Sequence, residues 1–510
     1  MQEGRTLAWK PHPRYNLQVT NTRRRLLWTF FALIAIILGT LIAIRFAKGQ
    51  RPSLTGVSGN GLLVINSEPK GARVLIDDRF ITATDDTRYL DPGEYVVSVQ
   101  KEGYFPWQKT LQIDNEVVTQ ANALLFPIAP SLSPLTLSGA VKPVPSPDGQ
   151  KLIYSTASSS AETKNGYYIM ELADNPLAFQ RGPRQITRVS TQFPQESTEM
   201  IWSPDSSQVL LVSQQKAVLI DPTRMNEIDT QPDLTFQLQT ILSQWEEEMY
   251  LRDRERLAKF PDEMIAIATQ SAVNVYFSPD EEKLMYTATV AFTLPDGIVP
   301  PKPGSSTQSQ SRSTEVGDIY VYDREEDRQF RLGTDTQYLS WLQQQGGNAD
   351  ASLLPTPAPT PPVANRNSLR LSVTEVAASP SALLRATTQK RLLSDDLSRS
   401  RSLTIEASPS AFLRLQADSL EQTLENFRTY HSPLFSHGFQ WFPNSVHVLT
   451  HSTTSITISE YDNTNVVTVY SGPFDGEFVY PWPNGSRLII RTNFNQGPSV
   501  PVNLYTVDLK

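Results

Sequence analysis

The sequence predicts a mainly β chain: one apolar N-terminal helix, a small β-sandwich domain, and a long run of repeated hairpins closed into a ring. Three observations carry that expectation. Residues 26–44 hold no charged side chain. Residues 61–126 alternate apolar and polar positions between Pro and Gly turns, the period of strands. A turn built on Ser-Pro-Asp, followed by an apolar run, then recurs along the rest of the chain. The 510 residues exceed one core and suggest roughly three units.

Composition removes several function classes. The chain has no cysteine, which excludes a disulfide framework, a thiolate zinc site, an iron–sulfur cluster and a cysteine nucleophile. It leaves the redox compartment open. Residues 1–51 hold nine Lys/Arg and one acidic residue, Glu3, so the remainder carries 36 of the 45 basic and 52 of the 53 acidic groups. An acidic bulk argues against nucleic acid as partner, because phosphate contacts need a basic face.

The apolar stretch 26–44 (LLWTFFALIAIILGTLIAI) is bracketed by Arg25 and Arg45. At 1.5 Å per residue it spans about 28 Å, close to the roughly 30 Å hydrocarbon core. Thr29 and Thr40 can bond back to the helix, and Trp28 suits the first interface. A cleaved signal would have a shorter apolar run and a small-residue site after it, where Arg45 and Phe46 stand. The expectation is a single-pass transmembrane helix over 26–45 behind a basic cytoplasmic tail, 1–25. Arg5, Lys10, Arg14, Arg23, Arg24 and Arg25 precede it, against Arg45, Lys48 and Arg51 after it, which orients the N-terminus inward and the bulk of the chain outside the cell. Residues 46–60 read as a linker.

In 61–127 the strands GLLVINS, ARVLIDD, EYVVSVQKEGY, PWQKTLQI and VVTQANALLF follow one another, with Val74 and Ile76 on one face. Pro92-Gly93 marks a turn, with Gly93 expected to supply a positive φ. Pro69, Gly71, Ala72, Pro92, Gly93, Gly103, Tyr104 and Trp107 fall in the order of a known pattern, and the stretch resembles a PEGA domain. Thr82-Ala83-Thr84 departs from it where the family often has Thr-Pro. The resemblance implies a bacterial or archaeal surface module that is not catalytic and serves as a stalk or a binder of the cell envelope.

The repeat reads VPSPDGQKLIYST at 144–156, IWSPDSSQVLLVS at 201–213 and VYFSPDEEKLMYT at 275–287. Looser copies stand at 441–452 and 481–493, and 338–354 reads as a degenerate one. Pro147, Pro204 and Pro279 fix φ in each turn, and Asp148, Asp205 and Asp280 can accept backbone N–H groups ahead. Each carboxylate is expected to pin its own turn rather than to act chemically. A second strand follows each copy, giving the two hairpins of a propeller blade. The unit 136–510 is therefore expected to be a β-propeller of six or seven blades. It resembles the propellers of the Tol-system periplasmic protein and WD-repeat-like bacterial propellers. A helical insertion is expected at 235–260, with Leu238, Ile241, Leu242, Trp245 and Met249 on one face and Pro261 ending it. Residues 300–314 and 355–366 read as flexible loops, and 383–428 have no assignable structure. The stretches SPDEEKLMYTATV, DIYVYDREEDRQF and EYDNTN with TVYSGPF look like signatures of the group, with no chemistry attached.

The search for catalytic chemistry is nearly empty. G-x-S-x-G, the phosphate loop, G-x-G-x-x-G and H-E-x-x-H are absent from the sequence. His447 and His451 lie in a strand pattern about 13 Å apart and cannot share a metal. A site from His431, His437 and one of them is disfavoured. The pairs Asp323/Asp327 and Glu325/Glu326 read as solvated loop charge. No cofactor and no metal are expected. The expected role is non-enzymatic, a membrane-tethered binder or scaffold for cell-wall polymer or envelope proteins. The alternatives are a carbohydrate-acting enzyme with funnel carboxylates or a purely structural stalk.

Overall fold

Helix α1 (Thr22–Ala47) carries the apolar N-terminal run. The computed structural model describes residues 22–47, 51–53, 56–58, 60–157, 159, 161–172, 182–214, 216–300, 302, 308–346, 424, 438–494 and 501–510. Among the described residues no helix is long and apolar enough to cross a membrane. The transmembrane helix expected over 26–45 is thus not carried by the described residues. Within α1 the Thr40 hydroxyl donates to the Ile36 carbonyl at 2.7 Å, as its place in the run implied.

A short hairpin, β1 (Arg51–Ser53) and β2 (Gly56–Ser58), precedes the first β domain. That domain holds β3 (Gly61–Glu68), β4 (Arg73–Ile76), β5 (Arg79–Ala83), β6 (Asp86–Leu90), β7 (Gly93–Gln100), β8 (Trp107–Ile113) and β9 (Val118–Leu124). They form two sheets, ordered β6-β3-β9 and β5-β4-β7-β8. β3 and β9 pair in parallel, the others antiparallel. The alternation of β3 sends Leu63 and Ile65 into a core with Val74, Ile76, Val97, Val99, Trp107 and Ile113. Gly61 is required there: a Cβ would stand 2.3 Å from Ile113 Cγ2. Gly71 (φ 72°) and Gly103 (φ 81°) take the left-handed region. Gly93 does not. It opens β7 in extended backbone paired with Ile113, so the expected positive φ is corrected by strand pairing.

Five sheets follow. The first holds β11 (Val141–Pro145), β12 (Lys151–Thr156), β13 (Gly166–Glu171) and β14 (Arg184–Arg188), after β10 (Leu132–Pro134), which pairs elsewhere. The second holds β15 (Glu199–Trp202), β16 (Val209–Val212) and β17 (Ala217–Ile220). The third holds β18 (Ala272–Phe277), β19 (Lys283–Ala288), β20 (Asp318–Asp323) and β21 (Arg328–Thr334). The fourth holds β22 (Phe439–Trp441), β23 (His447–His451), β24 (Ser455–Glu460) and β25 (Val467–Ser471). The fifth joins β26 (Val479–Pro481), β27 (Arg487–Thr492) and β28 (Asn503–Asp508) to β10.

Shared cores put these sheets in a ring. Phe478, Trp482 and Ile489 of the fifth pack with Leu152 and Tyr154 of the first. Ile153 and Ile169 of the first pack with Trp202 and Val209 of the second. Val321 and Phe330 of the third meet Trp441 and Val448 of the fourth, and Leu449 of the fourth meets Leu488 of the fifth. Helices fill the arc between second and third. The start of α2 (Leu238–Leu257) packs Leu238 and Leu242 on Leu210 and Val212, while its end and α3 (Asp262–Gln270) pack Leu257, Met264 and Ala268 on Leu284 and Tyr286. Pro261 ends α2 as expected and caps α3, which the sequence reading missed.

Four further expectations change. Among the described residues there are five such sheets, against six or seven expected. The degenerate copy at 338–354 begins inside a helix, α4 (Thr336–Gly346), rather than a strand. Of the loop 300–314, residues 308–314 are fastened: Arg312 ion-pairs with Asp296 and Asp327, and Ser311 N–H donates to the Gln329 carbonyl. Asp323 and Asp327 are buried instead of solvated, because Tyr461, Lys283, Tyr322 and Arg312 hold them. The expected loop 355–366, His431 and His437 lie outside the described residues, as do residues 383–428 apart from Leu424, which packs with α2.

Candidate functional site

The repeated turns come first: the three full copies join the first two strands of the first, second and third sheets. In each of the three full copies a Ser hydroxyl donates to the Asp two positions on: Ser146 to Asp148 (2.5 Å), Ser203 to Asp205 (2.6 Å), and Ser278 to Asp280. The same carboxylates accept the N–H of Gln150, Ser207 and Glu282. The Ser203 hydroxyl, foremost, holds the Asp205 carboxyl below the usual carboxylate range. The turn also joins neighbouring blades. Asp148 N–H donates to Ser206 Oγ at 3.0 Å, and Asp280 N–H to Ser445 Oγ at 2.9 Å. The carboxylates that sequence reading singled out are thus occupied within their own turns, with Pro147, Pro204 and Pro279 beside them.

The first β domain sits on this turn end of the ring. Lys109 of β8 reaches across to a carboxylate at the end of β24 and one just beyond it, at 2.5 Å from Glu460 and 2.6 Å from Asp462. Their side chains are 5% and 1% exposed, so the pair of charges is desolvated. Trp107 Nε1–H donates to Glu460 at 2.5 Å, and Asn465 Nδ2 donates to the same carboxylate oxygen at 2.8 Å. Asn465 Oδ1 in turn accepts Gln108 N–H at 2.9 Å. Burial by itself pushes Lys109 down, but Glu460 and Asp462 outweigh it and hold the ammonium above its ordinary range. The stretch EYDNTN, which had no chemistry in the sequence, is this clamp.

Apolar contacts complete the joint. Phe126 meets Phe442 and His447 edge to face at 6.2 and 5.4 Å. His447 is buried, its Nδ1 lies 2.9 Å from Asn444 Nδ2, and burial pushes it down to about 4, so the ring is neutral. His451, expected to lie too far from it to share a metal, contacts the Ser452 carbonyl at the end of β23. Among the described residues no group of His, Asp and Glu is placed to hold a metal. At the rim Lys510 pairs with Glu68 at 3.0 Å, and Gln308 donates to the Thr110 carbonyl at 2.8 Å.

Beside the joint a cleft of about 730 Å³ opens between the two units. Asn66, Ser67, Lys70, Asn122 and Leu124 line it from the first domain, and Phe442, Asn444, His447 and Asn484 from the ring. Of the motif positions of the first domain only Pro69 lines this cleft; Ala72 is buried, its N–H held by Thr84 Oγ1 at 3.0 Å, in the segment that departs from the pattern. Tyr104 bridges to Pro127, and Pro92 bends the chain into β7. The junction residues themselves escaped sequence reasoning, since more than 350 positions separate Lys109 from its partners.

Comparison with known proteins fits the first unit. Residues 60–127 match the PEGA domain family. No curated protein matches the chain. Among solved structures it is similar to a putative TolB from Agrobacterium tumefaciens, at 12% identity over 74% of this chain and 83% of that one, with a TM-score of 0.20. It is similar also to TolB from Acinetobacter baumannii, at 10% identity over 82% and 60%, with a TM-score of 0.18. An oligogalacturonate lyase in complex with manganese matches at 10% identity over 81% and 74%, with a TM-score of 0.17. At those TM-scores the propeller assignment rests on the ring of sheets itself. The chain carries a PEGA domain docked on a propeller-like ring.

Proposed function

We propose that this chain is a membrane-tethered, extracytoplasmic protein of the cell envelope that binds envelope polymer or envelope proteins and performs no catalysis. The observation that carries the reading is the clamp of Lys109 on Glu460 and Asp462. A domain serving only as a spacer needs no desolvated charge cluster to fix its orientation. A binding body that presents one composite surface does. The uncharged run 26–44 supplies the tether, and the basic excess before it sets the orientation. Asp148, Asp205 and Asp280, the carboxylates of the repeat, are each committed to a turn, in keeping with a non-catalytic reading.

Co-sedimentation of the full chain, in detergent micelles, with isolated cell-wall polymer tests the reading, alongside crosslinking to envelope proteins on intact cells. Saturable binding to either is expected. Binding to neither would overturn it.

A further inference from the structure

We propose that the outward face of the β6-β3-β9 sheet, continuing into the interdomain cleft, is a track for an uncharged, N-acetylated glycan strand. This rests on the reading of the chain as an envelope binder and names the polymer chemistry. Alternation fixes the face. Leu63 and Ile65 point to the core, so Leu62, Val64 and Asn66 point away from it. Register then builds three rows about 6.6 Å apart. Leu62 lies opposite both Tyr89 and Val118, Val64 opposite Gln120, and Asn66 opposite Asn122.

The chemistry changes along the track. The first row is apolar and open, with Tyr89 66% and Val118 50% exposed, a surface for the C–H face of a sugar ring. The third row is a carboxamide pair: Asn66 Nδ2 donates to Asn122 Oδ1 at 2.9 Å. That bond leaves the Asn66 carbonyl as an acceptor and the Asn122 amide as a donor, the complement of an acetamido group's N–H and C=O. Both residues line the cleft, where Asn444 and Asn484 of the ring add further amides, so the track is continuous with the joint. The three rows hold no charged side chain, although charged residues are 19% of the chain; the next outward position of β3, Glu68, is paired with Lys510 at 3.0 Å. A polyanion would find no counter-charge in these rows, and the cleft's two lysines, Lys70 and Lys510, already face Asp85 and Glu68, whereas a neutral glycan needs no counter-charge.

The experiment titrates the full chain in micelles with the tetramer of N-acetylglucosamine, and in parallel with an anionic uronate tetramer. Saturable binding of the first only is expected. Tyr89→Ala and Asn122→Ala should each weaken it by roughly two- to tenfold, the worth of one net contact. Both positions are exposed, so melting should not move, and Glu227→Ala on the ring serves as a control that leaves affinity unchanged. Equal affinity in all variants, or equal affinity for the uronate, would overturn the track. If the tetramer fails while whole cell-wall polymer still sediments with the chain, the track falls and the envelope reading stands. If both fail and crosslinking finds no envelope partner, both fall.

Discussion

Asp205 accepts the hydroxyls of Ser203 and Ser207 and the N–H of Ser207, and all three lose their acceptor in Asp205→Ala. The expected loss is about 1–2 kcal/mol, read by denaturant titration. Because the folded carboxyl sits below its ordinary value of 3.8, this contribution is present above that pH and disappears as pH falls through the folded value. Asp253 of α2 behaves oppositely. Burial pushes it up to about 6 from 3.8, against Arg256 nearby. The folded state holds the proton longer than the unfolded one, so Asp253 makes stability fall as pH rises from 3.8 to about 6. His447, pushed down to about 4 from 6.5, makes stability rise with pH over nearly the same window. The two slopes offset in the wild type. Asp253→Asn should raise stability at pH 7 by up to about 3 kcal/mol, less the Arg256 pairing. It should also expose a rise with pH between about 4 and 6.5, measured by thermal melts across that range. A flat profile in Asp253→Asn would contradict this assignment.

Elements differ in how far they could be read. β12, β16 and β19 announced themselves because a Ser-Pro-Asp turn and an apolar run are local signals. β5 (RFITA) and β6 (DTRYL) did not, being short edge strands whose side chains are largely exposed. α3 lay behind a proline taken only as a stop, although Asp262 and Glu263 in its first turn marked a start. α4 was taken as a strand because its apolar residues also alternate over a few positions. The clamp was illegible in principle, since β8 and the end of β24 meet only once the chain has folded. Lys109→Met leaves Glu460 and Asp462 buried without their cation and should cost about 3–5 kcal/mol at the joint. Hydrogen exchange should then quicken at β8 and around Phe126, while amides of the first and second sheets keep their protection. Unchanged exchange at β8 would show that the clamp does not hold the domain.

The whole molecule is a ring fastened by its own two ends. β10, just after the PEGA domain, is the edge strand on β28, the last strand of the chain. β28 also supplies the fully buried Leu504 and Val507 to two different cores. Removing residues 501–510 should therefore lower the melting temperature by about 10 °C or more, since two buried aliphatics are worth about 5 kcal/mol together. The central claim is that the PEGA domain and the ring move as one body. The chain has no cysteine, so Glu94→Cys on β7 and Glu227→Cys on the ring, both exposed, accept spin labels without competing sites. Pulsed dipolar spectroscopy between them should give one narrow distance distribution that broadens in Lys109→Met. A broad distribution in the unclamped and clamped chains alike would contradict the claim.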